Sequence, residues 1–278
     1  MNRFTEQFVW AIAALSSLVT LLAFIFQSNI DLTATPIFAK IIASVLILAA
    51  CASYACWMSR QKTRLSLVFN PNFKLIIEKG DLFEKSGIIV IPVNEYFDTH
   101  VGDGIISPTS VHGLFINKIF KDRVNELDIL IDTKLSGIQP TGECSVRTLG
   151  KNIKYELGTC INIEENGNVY VLVALTHFDN YNHAYLEKKD YPIVIDKLMD
   201  NLQKISMHPE KAIYMPLMGT GLSRLKRSPQ RVLNFLIDAI DFKYSDKTFP
   251  NGIHIEIYNI NQVNLIQLEE LFKNDLSL

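Results

Sequence analysis

Twice in this chain a short, unbroken apolar run leads directly toward a glycine-rich turn. Ile88–Val93 is followed by Val101-Gly-Asp-Gly-Ile-Ile-Ser107, and Ala212–Leu217 by Met218-Gly-Thr-Gly-Leu-Ser223, with a helical pattern a few residues on. Unbroken runs of this length suit strands buried on both faces, in a sheet covered by helices on each side. Around Gly219-Thr220-Gly221, two glycines flanking a hydroxyl let the backbone bend sharply and approach a ligand closely. Successive N–H groups can then face an anion, and a helix beginning nearby adds the positive end of its dipole. Each turn alone is equally compatible with an ordinary strand-to-helix connection. Two of them suggest a cleft that grips a diphosphate from both sides.

From about Leu65 onward strand-like and helix-like patterns alternate. Leu65–Phe69 and Phe73–Ile77 are separated by the turn signal Asn70-Pro71-Asn72. Apolar residues near helical spacing predict a helix over Leu114–Ile131. Cys144–Leu149, Tyr155–Ile163 and Val169–Thr176 read as strands, the last after the hairpin turn Asn166-Gly167-Asn168. Helices are predicted over Tyr191–Ile205, over Pro229–Ile240 with Ser228 as N-cap, and over Gln262–Phe272, with a strand at Ile253–Tyr258. The order predicts one α/β domain, residues 63–278, with a mixed sheet between two helical layers.

The first 62 residues have a different composition. Phe8–Phe26 holds no charge over 19 residues, and Ile37–Met58 holds only Lys40 over 22. Hydropathy predicts a transmembrane hairpin with spans of about 8–26 and 37–58. Arg3 before the first span and Arg60, Lys62 and Arg64 after the second predict a multi-pass protein with both termini in the cytoplasm. Trp10 and Trp57 fit an interfacial belt. Cys51 and Cys56 lie in the second span, and Cys144 and Cys160 fall where thiols stay reduced. No CxxC pair, HExxH or Cys/His cluster occurs, so no metal is expected. A formal charge of −2 gives no case for nucleic acid.

Segments in order along the chain resemble the macro-domain family. Gly80-Asp81-Leu82 resembles its Gly-Asp-Ile/Leu, Ile88–Asn94 its strand ending in Ala-Asn, and Gly102–Ser107 its first phosphate loop. Pro140-Thr-Gly-Glu-Cys144 matches Pro-Thr-Gly-Glu-Ala, and Pro216–Leu222 resembles the second phosphate loop. The resemblance covers roughly Phe73 to Ile257 and implies a three-layer α/β/α sandwich that binds an ADP-ribose derivative. Carried over residue by residue, Asp81 would accept from the adenine amine or simply cap its turn. Asn94 would contact the distal ribose or make an Asx-turn. Gly102, Gly104, Ile105, Ile106 and Ser107 would face one phosphate, and Gly219, Thr220, Gly221, Leu222 and Ser223 the other. Asp103 is expected to point away from the phosphates. Phe178 would lie beside the distal ribose or serve as ordinary core, with Tyr181, His183 and Tyr185 facing its substituent. Pro140–Glu143 reads as scaffolding, and Arg224 and Arg227 either approach the diphosphate or are solvated.

In hydrolytic macro domains the first loop carries an Asp that helps activate water. Ile106 stands at that place here, and isoleucine cannot act as a base. The expectation is therefore a binding protein without catalytic residues. A membrane hairpin fused to such a domain resembles the transmembrane–macro effectors of type II Thoeris antiphage systems. That resemblance implies a bacterial inner-membrane receptor for an NAD-derived signal, histidine–ADP-ribose, made by a TIR-domain partner. It also implies homo-oligomerisation and membrane disruption once the signal is bound. The rival readings are a membrane-tethered ADP-ribosyl hydrolase and an adaptor for ADP-ribosylated proteins.

Overall fold

The computed structural model describes residues 5, 8–16, 37–58, 62–179, 181–206, 211–221 and 223–275. The chain separates into two compact units, Met1–Gln61 and Lys62–Leu278. The first contains helix α1 (residues 8–16) and helix α2 (Ile37–Met58). Among the described residues no helix is long and apolar enough to cross a membrane. This finding overturns the expected transmembrane hairpin and the multi-pass inner-membrane placement. The remainder of the first predicted span lies outside the described residues.

The second unit is built on one mixed sheet. Its strands are β1 (Arg64–Asn70), β2 (Phe73–Lys79), β3 (Ile88–Asn94), β6 (Cys160–Glu165), β7 (Asn168–Phe178), β9 (Ile213–Pro216) and β10 (Phe249–Ile257), in the order β1-β2-β10-β9-β3-β7-β6. The short β8 (Ala184–Tyr185) folds back on β7, and β4 (Gly142–Glu143) pairs with β5 (Ile153–Lys154) apart from the main sheet. Neighbouring strands from β2 through β10, β9 and β3 to β7 run parallel, while β1, β6 and β8 are antiparallel to their partners. Ile88, Ile89, Val90 and Ile91 are all buried, as are Tyr170 to Leu175. Both faces of β3 and β7 are therefore covered, as their unbroken apolar runs require.

This topology positions the site. All five parallel strands end at the same edge of the sheet. After β3 the chain builds β6 and β7 on one side of it, then returns through helix α5 (Asp190–Ile205) to β9 on the other side. The connections leaving β3 and β9 therefore diverge, and a crevice opens between them at the strands' carboxyl ends.

Four local expectations differ from the structure. The helix predicted over Leu114–Ile131 is two helices, α3 (Val111–Ile119) and α4 (Val124–Leu135). Between them Phe120 folds back onto Phe115, with ring centroids 5.5 Å apart, and Arg123 N donates to Phe120 O at 2.8 Å. The strand predicted over Cys144–Leu149 is a turn region, because Arg147 is drawn inward to Asp98. The strand predicted from Tyr155 begins only at Cys160, after Gly158 takes a φ of 82°. Helix α6 (Pro229–Tyr244) starts at Pro229 as expected, but Ser228 makes no side-chain capping bond. Helix α7 (Leu265–Asp275) closes the unit.

Candidate functional site

The crevice is a cleft of about 330 Å³, within the range of small-ligand sites. Its walls come from the ends of β3 and β7, from Ile105–Ser107, from the start of α3, and from Pro216–Gly221 with Ser223. The second glycine turn and the end of the first loop, Ile105–Ser107, thus face one cavity, while Gly102 and Gly104 do not line it. In the second loop Gly219 has a φ of 87°, and a Cβ there would meet Leu225 at 3.1 Å and Tyr191 at 3.3 Å. The Tyr191 hydroxyl donates to Met218 O at 3.1 Å, and Thr220 Oγ1 to Leu217 O at 2.9 Å. The loop is therefore braced from behind. Gly221 lines the cleft, has no left-handed φ, and a Cβ on it would meet no atom of the described residues within 4 Å.

Asn94 carries the most specific polar signal. Its Oδ1 accepts from Tyr96 N at 3.0 Å and Asp98 N at 3.4 Å, which fixes the orientation of the amide. Its Nδ2 is buried, lies on a cleft-lining residue and has no hydrogen-bond partner among the described residues. The two sequence readings of Asn94 are thus compatible: the oxygen builds an Asx-turn, and the nitrogen is left for a ligand. Ser223, which also lines the cleft, carries a second buried polar atom, Oγ, without a partner among the described residues. Buried polar groups without partners cost on the order of 1–3 kcal/mol, which an incoming ligand can recover.

Helix α3 begins at the cleft, earlier than the sequence pattern indicated. Ser110 caps it, accepting from Gly113 N at 3.0 Å, and Thr109, Ser110, Val111 and His112 line the cavity. These residues were missed because the helical period is clear only from Leu114. The capping signal, a serine three residues ahead of Gly113, was present in the sequence. Burial pushes His112 down to about 3, with a hydrogen bond to the Asp98 backbone opposing the shift. His112 is therefore a neutral imidazole in the cleft wall.

Phe178 lines the cleft and is buried. Its backbone N donates to Glu95 Oε1 at 3.0 Å, and the other oxygen of Glu95 lies 2.8 Å from His177 Nδ1. Burial alone would raise Glu95, but the bonds from His177 and Phe178 N hold it below the usual carboxylate value. The bond to Glu95 correspondingly raises His177. Arg147, which no sequence pattern singled out, stacks 3.8 Å above the Tyr96 ring and 5.5 Å from that of Phe178. Its Nη2 lies 2.8 Å from Asp98 Oδ2, and its Nε donates to Asn182 Oδ1 at 2.9 Å. One buried guanidinium thus ties the segment after Asn94 to the β7–β8 turn. That turn displays Tyr181, His183 and Tyr185 at the surface, and Ala184 reaches the cleft.

Other sequence-selected residues lie elsewhere. Asp81 does not line the cleft: its Oδ1 caps the turn at Phe83 N, 2.9 Å away, and its Oδ2 is 3.5 Å from Lys118. Leu82 is buried beside it. Gly102, Asp103 and Gly104 form the outer bend of the first loop, all with left-handed φ. There Gly102 N donates to Ile106 O and Ile105 N to Gly102 O, both at 2.9 Å. Asp103 points outward to His100, at 2.8 Å. Leu222 lies outside the described residues. Thr141 bonds Lys154 O across the β4–β5 pair, in keeping with a scaffolding role. Arg227 lines a separate hollow, and Arg224 is exposed.

Among the described residues one group, Glu78, His254 and Glu256, is close enough to share a metal ion. Lys85 already supplies a cation there, with Nζ 3.0 Å from Glu256 and 3.3 Å from Glu78. A Cβ on Gly80 would lie 1.9 Å from Glu256 Oε2, so the glycine preceding Asp81 makes room for this buried carboxylate.

Residues 75–258 match the family model described as Thoeris protein ThsA, Macro domain. The chain is 31% identical over 210 residues to Thoeris protein ThsA of Bacillus amyloliquefaciens (strain Y2), spanning 72% of this chain and 68% of that protein. Among solved structures, a mutant of the Oceanobacillus iheyensis macrodomain with ADPR superposes with a TM-score of 0.54 at 11% identity, over 76% of this chain and 100% of that one. The same macrodomain with ADP gives 0.53 at 11% identity, over 78% and 100%. At that identity the structural likeness bears on the fold alone.

Proposed function

From the premise that this chain belongs to the macro-domain family of Thoeris ThsA proteins, we propose that its cleft receives an ADP-ribose nucleotide and holds it without turnover. The observation that carries this reading is Asn94, whose buried Nδ2 has no partner among the described residues, in a cleft bounded by parts of both glycine loops and a helix N-terminus. Backbone N–H groups and the helix dipole suit a diphosphate, and an amide donor suits a sugar hydroxyl. The O. iheyensis macrodomain solved with ADPR supports the same ligand class. Asp81 stands outside the cleft lining, so its assignment to the adenine amine requires the nucleotide to extend beyond the cleft toward the Oδ2 atom, 3.5 Å from Lys118. The exposed Tyr181, His183 and Tyr185 would meet a group on the distal ribose, for which a histidine conjugate is the proposed signal. A TIR-domain partner that consumes NAD is its proposed source.

The absence of turnover is supported by the cleft wall. Ile106 has no acid–base chemistry, Asp103 points outward, and His112 at about 3 is too weak a base to activate water. The test is calorimetric titration of the full-length protein with ADP-ribose and its histidine conjugate, followed by product analysis. Asn94→Asp keeps the turn-forming oxygen and replaces the donor with an acceptor. It should weaken binding at least ~10-fold, about 1.4 kcal/mol. Undetectable binding by the wild type, or unchanged binding by the variant, removes the proposal. Multiple turnovers per protein would instead establish the hydrolase reading.

A further inference from the structure

The exposed face of α6 is anomalous for a solvent surface. Arg231, Phe235, Asp238 and Phe242 fall at helical spacing along one stripe, and all four are exposed. Phe242 is 96% exposed and Phe235 39%. A solvated helix face normally carries charged or polar groups, and neighbouring exposed aromatics mark a surface that something covers. At the N-terminal end of the stripe lies a hollow of about 390 Å³, lined by Leu225, Arg227, Arg231, Val232 and Phe235 among others. At the C-terminal end stands Phe242. One helix thus carries a protruding ring at one end and a hollow with cationic walls at the other.

We propose that this face pairs with the same face of a second copy of the chain, the two α6 helices running antiparallel about a two-fold axis. An axis crossing α6 midway between Arg231 and Asp238 sets each Arg231 opposite the partner's Asp238 and brings the two Phe235 rings together. In that register each Phe242 reaches the partner's Arg227 and enters the hollow beside it. The stripe is self-complementary in charge and in shape, as an isologous contact requires, and an arginine against an aromatic face adds a cation–π contact. Asp238 also engages a group of its own chain, so the partner's Arg231 adds to an existing interaction. Two aromatic side chains per copy, at ~150–250 Å² each, bury less than the ~1,200–2,000 Å² of a stable interface, which predicts weak, concentration-dependent association. The inference does not depend on what the cleft binds.

The test is sedimentation of the full-length protein across concentrations from about 1 to 500 μM, a span chosen for a weak interface. Dimer should accumulate as concentration rises. Phe242→Ser, at a position exposed enough to leave folding intact, should move the midpoint at least tenfold upward. Arg231→Glu and Asp238→Arg should each weaken association, and the double variant should recover it, because the exchanged charges again face each other across the axis. Circular dichroism checks that each variant is folded. A protein that stays monomeric throughout overturns the proposal. So does association indifferent to Phe242→Ser, which would place the contact elsewhere, including on residues 1–61. So does a double variant weaker than both single ones.

Discussion

At the scale of single residues, Gly221 separates binding from folding. Its side-chain direction is open and its backbone is not left-handed, so Gly221→Glu costs little in the fold while projecting a carboxylate toward the proposed diphosphate. The expected outcome is a thermal midpoint within a few degrees of wild type and loss of ADP-ribose binding by at least ~100-fold, about 2.7 kcal/mol, measured by calorimetry. A folded variant that binds normally would move the diphosphate away from this loop. Arg147 behaves oppositely. Its side chain and that of Asp98 are almost fully buried, and Arg147→Ala strands the carboxylate in the interior. Loss of one member of such a pair costs about 3–5 kcal/mol. Denaturant unfolding should show that loss, although Arg147 itself does not line the cleft. A change below about 1 kcal/mol would mean that the pair is worth no more than an exposed ion pair.

At the scale of elements, the pairing of β2 with β10 sets Glu78 beside Glu256 in register. Burial, with Glu78 adding to it and Lys85 opposing it, raises Glu256 from 4.5 to about 7. A carboxyl group whose folded value is raised contributes its full stability below the unfolded value and loses it as pH rises through the folded one. The window here runs from about 4.5 to about 7. Glu256→Gln removes the titration, so the stability of the variant relative to wild type should rise across that window by on the order of 2 kcal/mol. Urea unfolding at pH 5, 6 and 7 measures the difference, and a gap that does not widen with pH would show Glu256 ionised throughout. Helix α3 offers a second check. Ser110→Ala removes its cap and should cost about 1 kcal/mol. If the helix N-terminus faces the phosphates as proposed, nucleotide affinity should fall as well.

At the scale of the whole molecule, the boundary between the two units falls between Gln61 and Lys62. A protease site inserted there should release a fragment of residues 62–278 that unfolds cooperatively and binds ADP-ribose as the full-length protein does. Its buried core runs continuously from Leu65 to Phe272. A fragment that unfolds on release would show that this core depends on residues 1–61.

The amino-acid sequence by itself determined the main strands, most helices, the mixed sheet and the two glycine turns. Each of these follows from periodicity or turn chemistry within a few residues, which local sequence records directly. Hydropathy over-read the first 62 residues: among the described residues no helix is long and apolar enough to cross a membrane, and composition alone does not fix how long an apolar helix forms. Only the tertiary structure brought Ile105–Ser107, the second glycine turn, the ends of 88–94 and 168–178 and the start of α3 around one cleft, through the crossover that places β9 beside β3. Arg147 meets Asp98 across 49 positions, and His254 meets Glu78 across 176. No local pattern encodes partners so far apart. The donor of Asn94 is likewise a property of burial: the same asparagine at an exposed strand end would be satisfied by water, and its nitrogen would carry no information about a ligand.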